Sequence, residues 1–244
     1  MSIFPLTSVS AVAAASSDDP SERERALDAI ARAYWKPAYK YLRLRWDLAR
    51  EDAEDLTQEF FARAARESTF ARYDASVARF RTFVRACLDS TAKNARASAS
   101  RIKRGGGHVH LSYSAELAAQ GEAELAGIAA PAEDAVEEFF RREWMRSLFE
   151  VAVRETRDEL LGTGRAAHWR IFERYDLAAP GVADRPTYAE LGAEIGVPTT
   201  QVTNFLALAR RTFRRILLDR LREQCATNAE YRDEARDILG TALV

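Results

Sequence analysis

The sequence predicts an all-α protein with two helical domains, joined by a flexible acidic linker, of which the second contains a helix-turn-helix. Apolar residues recur at helical spacing from Ser21 onward. No stretch shows the alternation of apolar and polar residues that is typical of a β-strand. A glycine-rich and then acidic segment, residues 105–131, separates two apolar blocks, which indicates a linker between two folded parts.

Length and composition restrict the possible functions. The chain has 244 residues, 47% of them hydrophobic, and a formal net charge of -1. It can bury a core in one or two domains, and any contact with nucleic acid must come from local basic patches. Cys87 and Cys225 show no metal-binding or disulfide spacing, which favours a reduced cytoplasmic protein. The sequence contains no pattern typical of a signal peptide or a membrane span.

These patterns predict five segments. Residues 1–20 are a flexible tail, residues 21–104 a first helical domain, and residues 105–131 the linker. Residues 132–222 form a second helical domain, and residues 223–244 a helical extension of unknown purpose. In the first domain we expect Pro37 to reset the helix, and Trp35, Tyr39, Leu42 and Trp46 to lie in the core.

The stretch DAEDLTQEFF, residues 52–61, predicts a helix with one acidic face. Asp52, Asp55 and Glu59 share one side, opposite the apolar positions Ala53 and Phe60. Such a stripe is either a solvated surface or a docking site for a partner. Because no histidine or further carboxylate accompanies it, we expect neither a metal site nor an active site there.

The segment from Arg72 to Arg104 is basic. Phe80, Val84 and Leu88 share one helical face, which leaves Arg85, Lys93 and Arg96 turned outward, with Asn94 at the boundary. A helix of this kind can lie along a phosphate backbone, with the amide able to read a base edge. His108 and His110 follow in the linker without further ligands, so we expect no metal and no cofactor.

The stretch whose local structure is indicated most directly by its residues runs from Pro186 to Arg215. Thr187 and Glu190 form a capping-box pattern, and Gly196 supplies the left-handed backbone that a sharp turn requires. Gly192 lies where the two helices would cross, and the second helix begins near Thr199. One face of that helix is apolar and the other is rich in polar and basic residues. The alternative is an ordinary helical hairpin with a solvated arginine face.

Together these features resemble the bacterial RNA polymerase sigma factors, in particular the two-domain extracytoplasmic-function type of the sigma-70 family. The most specific signal is DAEDLTQEFF; Phe80-Arg-Thr-Phe83, Lys93-Asn94, the boundary Lys103-Arg104-Gly-Gly-Gly107 and the stretch from Tyr188 to Arg215 add to it. The resemblance covers most of residues 21–222. It departs from the family pattern at Ala95 and Arg96 and in the weakly basic residues 97–100, and this departure concerns promoter melting and not polymerase binding.

The resemblance implies three sets of contacts. The acidic helix would dock on the coiled coil of the largest subunit of core RNA polymerase through Asp52, Asp55, Gln58 and Glu59. The basic helix would bind the promoter's −10 element through Arg81, Arg85, Lys93, Asn94 and Arg96, with the loop of residues 66–79 capturing an unstacked base. The recognition helix would bind the −35 element through Thr200, Gln201, Thr203, Asn204, Arg210, Arg211, Arg214 and Arg215.

The resemblance therefore implies a sigma factor that directs promoter recognition and transcription initiation, with core RNA polymerase and promoter DNA as partners. It leaves open whether an anti-sigma protein is a further partner. Two other functions remain: a stand-alone helix-turn-helix regulator, and a decoy that binds polymerase without promoter activity. An enzyme is not expected, because the sequence has neither a nucleophile-and-base constellation nor a phosphate-binding glycine loop.

Overall fold

The computed structural model describes residues 10–99, 114–125, 128–178 and 186–240. Within them the chain is helical and contains no β-strand, which confirms the predicted all-α class. Two short 3-10 helices, Thr69–Arg72 and Glu133–Ala135, accompany the α-helices. The α-helices are α1 Ala11–Ala14, α2 Pro20–Arg45, α3 Arg50–Arg66, α4 Phe80–Ala99, α5 Ser114–Leu125, α6 Val136–Gly162, α7 Ala166–Asp176, α8 Tyr188–Ile195, α9 Thr199–Glu223 and α10 Asn228–Leu239.

The chain divides into two compact units. The first contains residues up to 147 together with residues from 221 onward, and the second contains residues 148–220. This division differs from the predicted domains, because residues 132–147 and 221–240 belong to the first unit. The predicted boundary motif, residues 103–107, and His108 and His110 lie outside the described residues.

The core of the first unit is built around α2. Trp35, Tyr39 and Leu42 are fully buried, as predicted, whereas Trp46 is only half-buried and donates its indole N–H to Asp89 at 3.1 Å. The helix runs without interruption through Pro37, so the expected reset is wrong. A proline removes one backbone hydrogen bond from a helix interior, and the packing of the aromatic residues on either side of Pro37 outweighs that loss.

Two aromatic residues expected in the second domain belong to this same core. Phe140 and Trp144 of α6 contact the ring of Tyr34, with centroid distances of 6.4 and 6.2 Å. Phe80 of α4 meets the same tyrosine edge-on at 5.6 Å. Helical periodicity identifies such residues as buried but cannot tell which helix they pack against.

The predicted flexible tail is helical in its last part. Residues 11–14 form α1, in which Val12 is 3% exposed. The Ser10 hydroxyl caps this helix by accepting a hydrogen bond from the amide of Ala13 at 3.2 Å. Small apolar side chains are sufficient to hold this helical turn in place, because they pack against the surface of α2. Residues 1–9 lie outside the described residues.

The predicted flexible linker contains a docked helix, α5. Glu122 accepts hydrogen bonds from the hydroxyl of Tyr39 at 2.6 Å and from the Arg43 guanidinium at 2.6 and 2.9 Å. Gly121 lets the helix come close to α2, since a Cβ there would lie 2.9 Å from the Tyr39 ring. The expectation of an extended acidic linker is therefore wrong for residues 114–125, because its carboxylates have cations on α2 as partners.

The second unit packs α7, α8 and α9 with the C-terminal part of α6. One cluster joins Leu160, Trp169, Phe172 and Ala209, and another joins Ile171, Leu191, Val202 and Leu206. The predicted capping box is confirmed, with the Thr187 hydroxyl accepting from the amide of Glu190 and the Glu190 carboxylate accepting from the amide of Thr187. Gly196 has a positive φ of 72°, as the predicted turn requires.

Substituting Gly192 tests the close crossing of α8 and α9. An added Cβ would lie 2.6 Å from the carbonyl oxygen of Val197, a backbone atom that cannot move without distorting the turn. Gly192→Ala should therefore lower the free energy of unfolding by about 1–3 kcal/mol, measured by urea denaturation. Gly162→Ala is the matched control: a Cβ there meets nothing within 4 Å, and alanine favours helix by up to ~1 kcal/mol. Equal changes in the free energy of unfolding for Gly192→Ala and Gly162→Ala would contradict the close crossing of α8 and α9.

The docking of α5 should depend on pH through Glu122. Hydrogen bonds from Arg43 and Tyr39 lower the pKa of this carboxyl from 4.5 to about 2. Because the folded pKa is depressed, the contribution to stability is present above about pH 4.5 and is lost as the pH falls toward about 2. In Glu122→Gln the free energy of unfolding should decrease less as the pH falls through that window. In Glu116→Gln, on the same helix, it should decrease with pH as in the wild type. An unchanged slope in Glu122→Gln would refute this contact.

Candidate partner and nucleic-acid interfaces

The structure places an acidic stripe on the exposed face of α3. Asp52, Asp55 and Glu59 are exposed, while Ala53 and Phe60 on the other side are buried, as predicted. Residues spaced by three, four and seven positions align along a helix. Among the described residues no ion-pair partner approaches these three carboxylates. The stripe is therefore a negative surface that no part of the described chain neutralises.

Gln58, predicted to belong to the same contact surface, does not lie in the stripe. It is 4% exposed, and it has an interaction within the protein. Its neighbour Thr57 is fully buried and donates its hydroxyl to the carbonyl of Ala53 at 2.6 Å. Helical geometry explains the difference, because Gln58 lies nearly a third of a turn away from Glu59 and turns toward the core.

A polar pocket lies between α3, the 3-10 helix of residues 69–72 and α4. Its volume is about 260 Å³, and it is lined by Phe60, Arg63, Glu67, Thr69, Arg72, Cys87, Ser90 and Asn94. Its wall thus contains two guanidinium groups, two hydroxyls, a carboxylate and an amide. Burial raises the pKa of the Cys87 thiol, which keeps it protonated. Of these eight residues the resemblance had named Asn94 as a binding residue, and Glu67, Thr69 and Arg72 lie in the loop, residues 66–79, that it expects to capture an unstacked base.

Local backbone geometry forms the wall of this pocket. Ser68 has a left-handed φ of 49°, and the sharp turn it makes directs Thr69 inward, where it is 6% exposed. Arg63 is held by a 2.6 Å hydrogen bond from its guanidinium to the Thr91 hydroxyl. A cavity with hydrogen-bonding groups and planar cations suits an unstacked base, which stacks on guanidinium planes and pairs through its edges.

The first half of the predicted basic face of α4 is occupied by carboxylates from the same unit. Arg81 is 7% exposed and pairs with Glu234 of α10. Arg85 donates to Glu137 at 2.7 Å and to Asp89 at 2.8 Å. Burial lowers the pKa of Arg81. The structure therefore does not present these two arginines to a ligand, since carboxylates of the first unit pair with both of them.

The second half of α4 is open. Lys93, Asn94 and Arg96 are exposed, as predicted. Arg96 is oriented by Trp46: its guanidinium lies 4.9 Å from the centre of the indole and donates to the Trp46 carbonyl at 2.7 Å. Asn94 also lines the polar pocket. A cation, an amide and a pocket therefore lie along one edge of the first unit.

The exposed face of α9 carries the predicted polar and basic residues. Helical spacing places Thr200, Thr203, Asn204, Arg211, Arg214 and Arg215 on that face, with Gln201 and Arg210 at its two edges, and all eight are exposed. We call the eight together the basic stripe. The opposite face is buried through Val202, Leu206 and Ala209.

Internal contacts divide the arginines of the basic stripe into two groups. Arg210 is held by Asp176 through two hydrogen bonds, at 2.7 and 2.8 Å, and Arg215 pairs with Glu159 and Asp219. Arg211 and Arg214 have no carboxylate partner among the described residues. These two are the most available for a phosphate, whereas Arg210 and Arg215 would first have to exchange a carboxylate for it.

Comparisons with protein-family models, with curated proteins and with solved structures find no match for this chain. Among the described residues no group of histidine, cysteine, aspartate and glutamate is arranged to hold a metal ion. None of the helices described combines the length and apolar character needed to cross a bilayer. The assignment of function therefore depends on the surfaces themselves.

Proposed function

We propose that this chain is a sigma factor of the extracytoplasmic-function type, which binds core RNA polymerase and directs promoter recognition in transcription initiation. The observation that carries the proposal is the acidic stripe on α3. DNA binding by itself does not account for an exposed line of three carboxylates, which repels phosphates. A basic groove or coiled coil on a protein partner complements it.

The second unit supports the proposal through the basic stripe. In the proposed function, α8, the turn at residues 196–198 and α9 form the helix-turn-helix. The amide and hydroxyl groups near the start of α9 then reach base edges in the major groove. Arg211 and Arg214, about two and three helical turns beyond Asn204, contact the phosphate backbone. Reading the −35 element requires both kinds of contact, one for sequence and one for orientation.

The polar pocket extends the proposal to the −10 element. An unstacked base entering it would meet the guanidinium groups of Arg63 and Arg72 and the amide of Asn94. Lys93 and Arg96 would contact the neighbouring phosphates. Capture of a flipped base offsets part of the cost of opening the duplex. The pocket is thus the part of the protein that we assign to holding the opened strand.

Association with core RNA polymerase tests the proposal directly. The purified chain should bind core enzyme and produce promoter-dependent transcripts from a panel of genomic promoters. The absence of binding would overturn the proposal. Binding without promoter-dependent transcripts would indicate a decoy, and sequence-specific DNA binding without any polymerase association would indicate a stand-alone regulator.

Reversing the charge of the acidic stripe should abolish polymerase binding. Asp55→Lys combined with Glu59→Lys replaces attraction by repulsion at an exposed surface, so folding should be unaffected. The expected result is loss of co-elution with core enzyme at an unchanged melting temperature. A control of equal charge change is Glu24→Lys with Asp134→Lys, two exposed carboxylates outside the stripe. Equal loss of binding to core enzyme in both double variants would show that binding depends only on net charge.

Removing Arg211 should weaken DNA binding in a salt-dependent manner. Arg211→Ala deletes one exposed cation that has no internal partner, so the slope of log affinity against log salt should fall by about one unit. Fluorescence anisotropy with promoter duplexes measures this slope. Arg157→Ala, an exposed arginine of α6 outside the basic stripe, should leave it unchanged. An unaltered slope in Arg211→Ala would exclude a phosphate contact by this residue.

A further inference from the structure

The C-terminal helix α10 directs three carboxylates at the start of α4. Glu230, Glu234 and Asp237 follow one another by four and three positions and therefore share a face of α10. All three contact the first residues of α4 or the segment just before it. The sequence interpretation assigned α10 no purpose, so this face needs an explanation.

Glu230 caps α4. One of its carboxylate oxygens accepts a hydrogen bond from the amide of Phe80 at 2.7 Å. The same oxygen lies 3.2 Å from the hydroxyl of Tyr73, which is closer, at 2.9 Å, to the carbonyl of Ala78. Its second oxygen accepts from the amide of Ala226 at 2.9 Å. The first amides of a helix have no partner within the helix, and here an anion from a distant part of the chain supplies one.

Glu234 and Asp237 neutralise the two arginines on either side of Phe80. Arg79 lies 2.8 Å from Asp237 and 3.3 Å from Glu234. Arg81 pairs with Glu234, and both side chains are buried, at 7% and 3% exposure. Among the described residues the Nε atom of Arg81 has no hydrogen-bond partner, and the carboxylate of Glu137 lies 3.9 Å from it. The guanidinium is thus buried with part of its hydrogen-bonding capacity unused.

The attachment of α10 has a large ionic part. Glu234 and Ala235 are its buried residues, and Tyr231, Ile238 and Leu239 are half-buried, so the helix completely buries little apolar surface. By contrast, α2 buries twelve residues, most of them apolar or aromatic. A contact made of carboxylates and arginines weakens with salt and is open to competition by another anion. The helix is therefore held in part by the kind of interaction that a nucleic-acid backbone can replace.

The groups under α10 are those that bind a phosphate. Without α10, the amides at the N-terminus of α4, two guanidinium groups and a phenol hydroxyl form an anion site. We propose that Arg79, Arg81 and the N-terminus of α4 bind a phosphate of the nucleic-acid backbone, and that α10 occupies this site in the free protein. This inference rests on the proposed function in that it explains why Arg81, expected at the −10 element, is covered. Nucleic acid binds there only after α10 has left.

Neutralising Glu234 should uncover the site. The probe is a fluorescein-labelled single strand of about twelve nucleotides, titrated with the full-length protein over about 50 to 200 mM salt. Glu234→Gln should bind it about tenfold more tightly than the wild type, with a salt slope steeper by about one unit. Adding Arg81→Gln to this variant should abolish the gain, because the guanidinium is the group that was released.

Controls separate this mechanism from a general change of charge or stability. Asp233→Asn removes the same charge from the same helix, but Asp233 pairs with Arg236 within α10, so its affinity should stay near that of the wild type. Should Glu234→Gln fail to fold, Asp237→Asn tests the same contact through Arg79, at a partly exposed position. The proposal would be overturned if Glu234→Gln gained no more affinity for the strand than Asp233→Asn does. It would also be overturned if the gain persisted when Arg81→Gln is added.

The assay needs no polymerase, so the two proposals fail separately. If the wild type binds core enzyme and supports transcription while Glu234→Gln shows no gain, only the role of α10 is refuted. If Glu234→Gln binds the strand more tightly while the wild type never binds core enzyme, the site under α10 is supported and the proposed function is refuted.

Discussion

Two lysines buried on α2 impose the main constraint on the first unit. The side chains of Lys36 and Lys40 are 3% and 1% exposed. Removing an ammonium group from water costs on the order of several kcal/mol unless a carboxylate accompanies it. Glu124 of α5 pairs with both, and Glu143 of α6 pairs with Lys40 at 2.6 Å. Helices far apart in sequence must therefore dock on α2, because the buried charges are tolerated only in their presence.

The need to pair buried charges also determines which of the remaining charged side chains lie in the interior and which lie at the surface. Where α4 approaches α6 and α10, its arginines are matched by Glu137 and Glu234. Where no carboxylate of the described residues pairs with them, as at Lys93 on α4 and Arg211 on α9, the cations face solvent. The acidic stripe of α3 is the complementary case. A chain with a net charge of only -1 thus carries strongly charged surfaces of both signs, and these surfaces define its proposed partners.

Local rules explain the parts of the fold that were predicted correctly. The capping box at Thr187, the positive φ of Gly196 and the close approach at Gly192 each depend on residues within a few positions of one another. The buried face of α9 and the acidic stripe of α3 follow from the helical period. The exposure of most candidate site residues was predicted in the same way. Gln58 was misplaced because a resemblance, and not its position on the helix, had assigned it to the surface.

The sequence by itself determined the all-α class, the turn between α8 and α9, and which faces of α3 and α9 remain exposed, because these depend on periodicity and on backbone preferences over short distances. Only the tertiary structure decided that residues 114–125 are a docked helix, that Phe140 and Trp144 pack on Tyr34, and that α10 covers the start of α4. These contacts join residues up to about 150 positions apart. A carboxylate on an amphipathic helix looks the same in sequence whether it meets water or a buried arginine, so its partner is known only when the chain has folded.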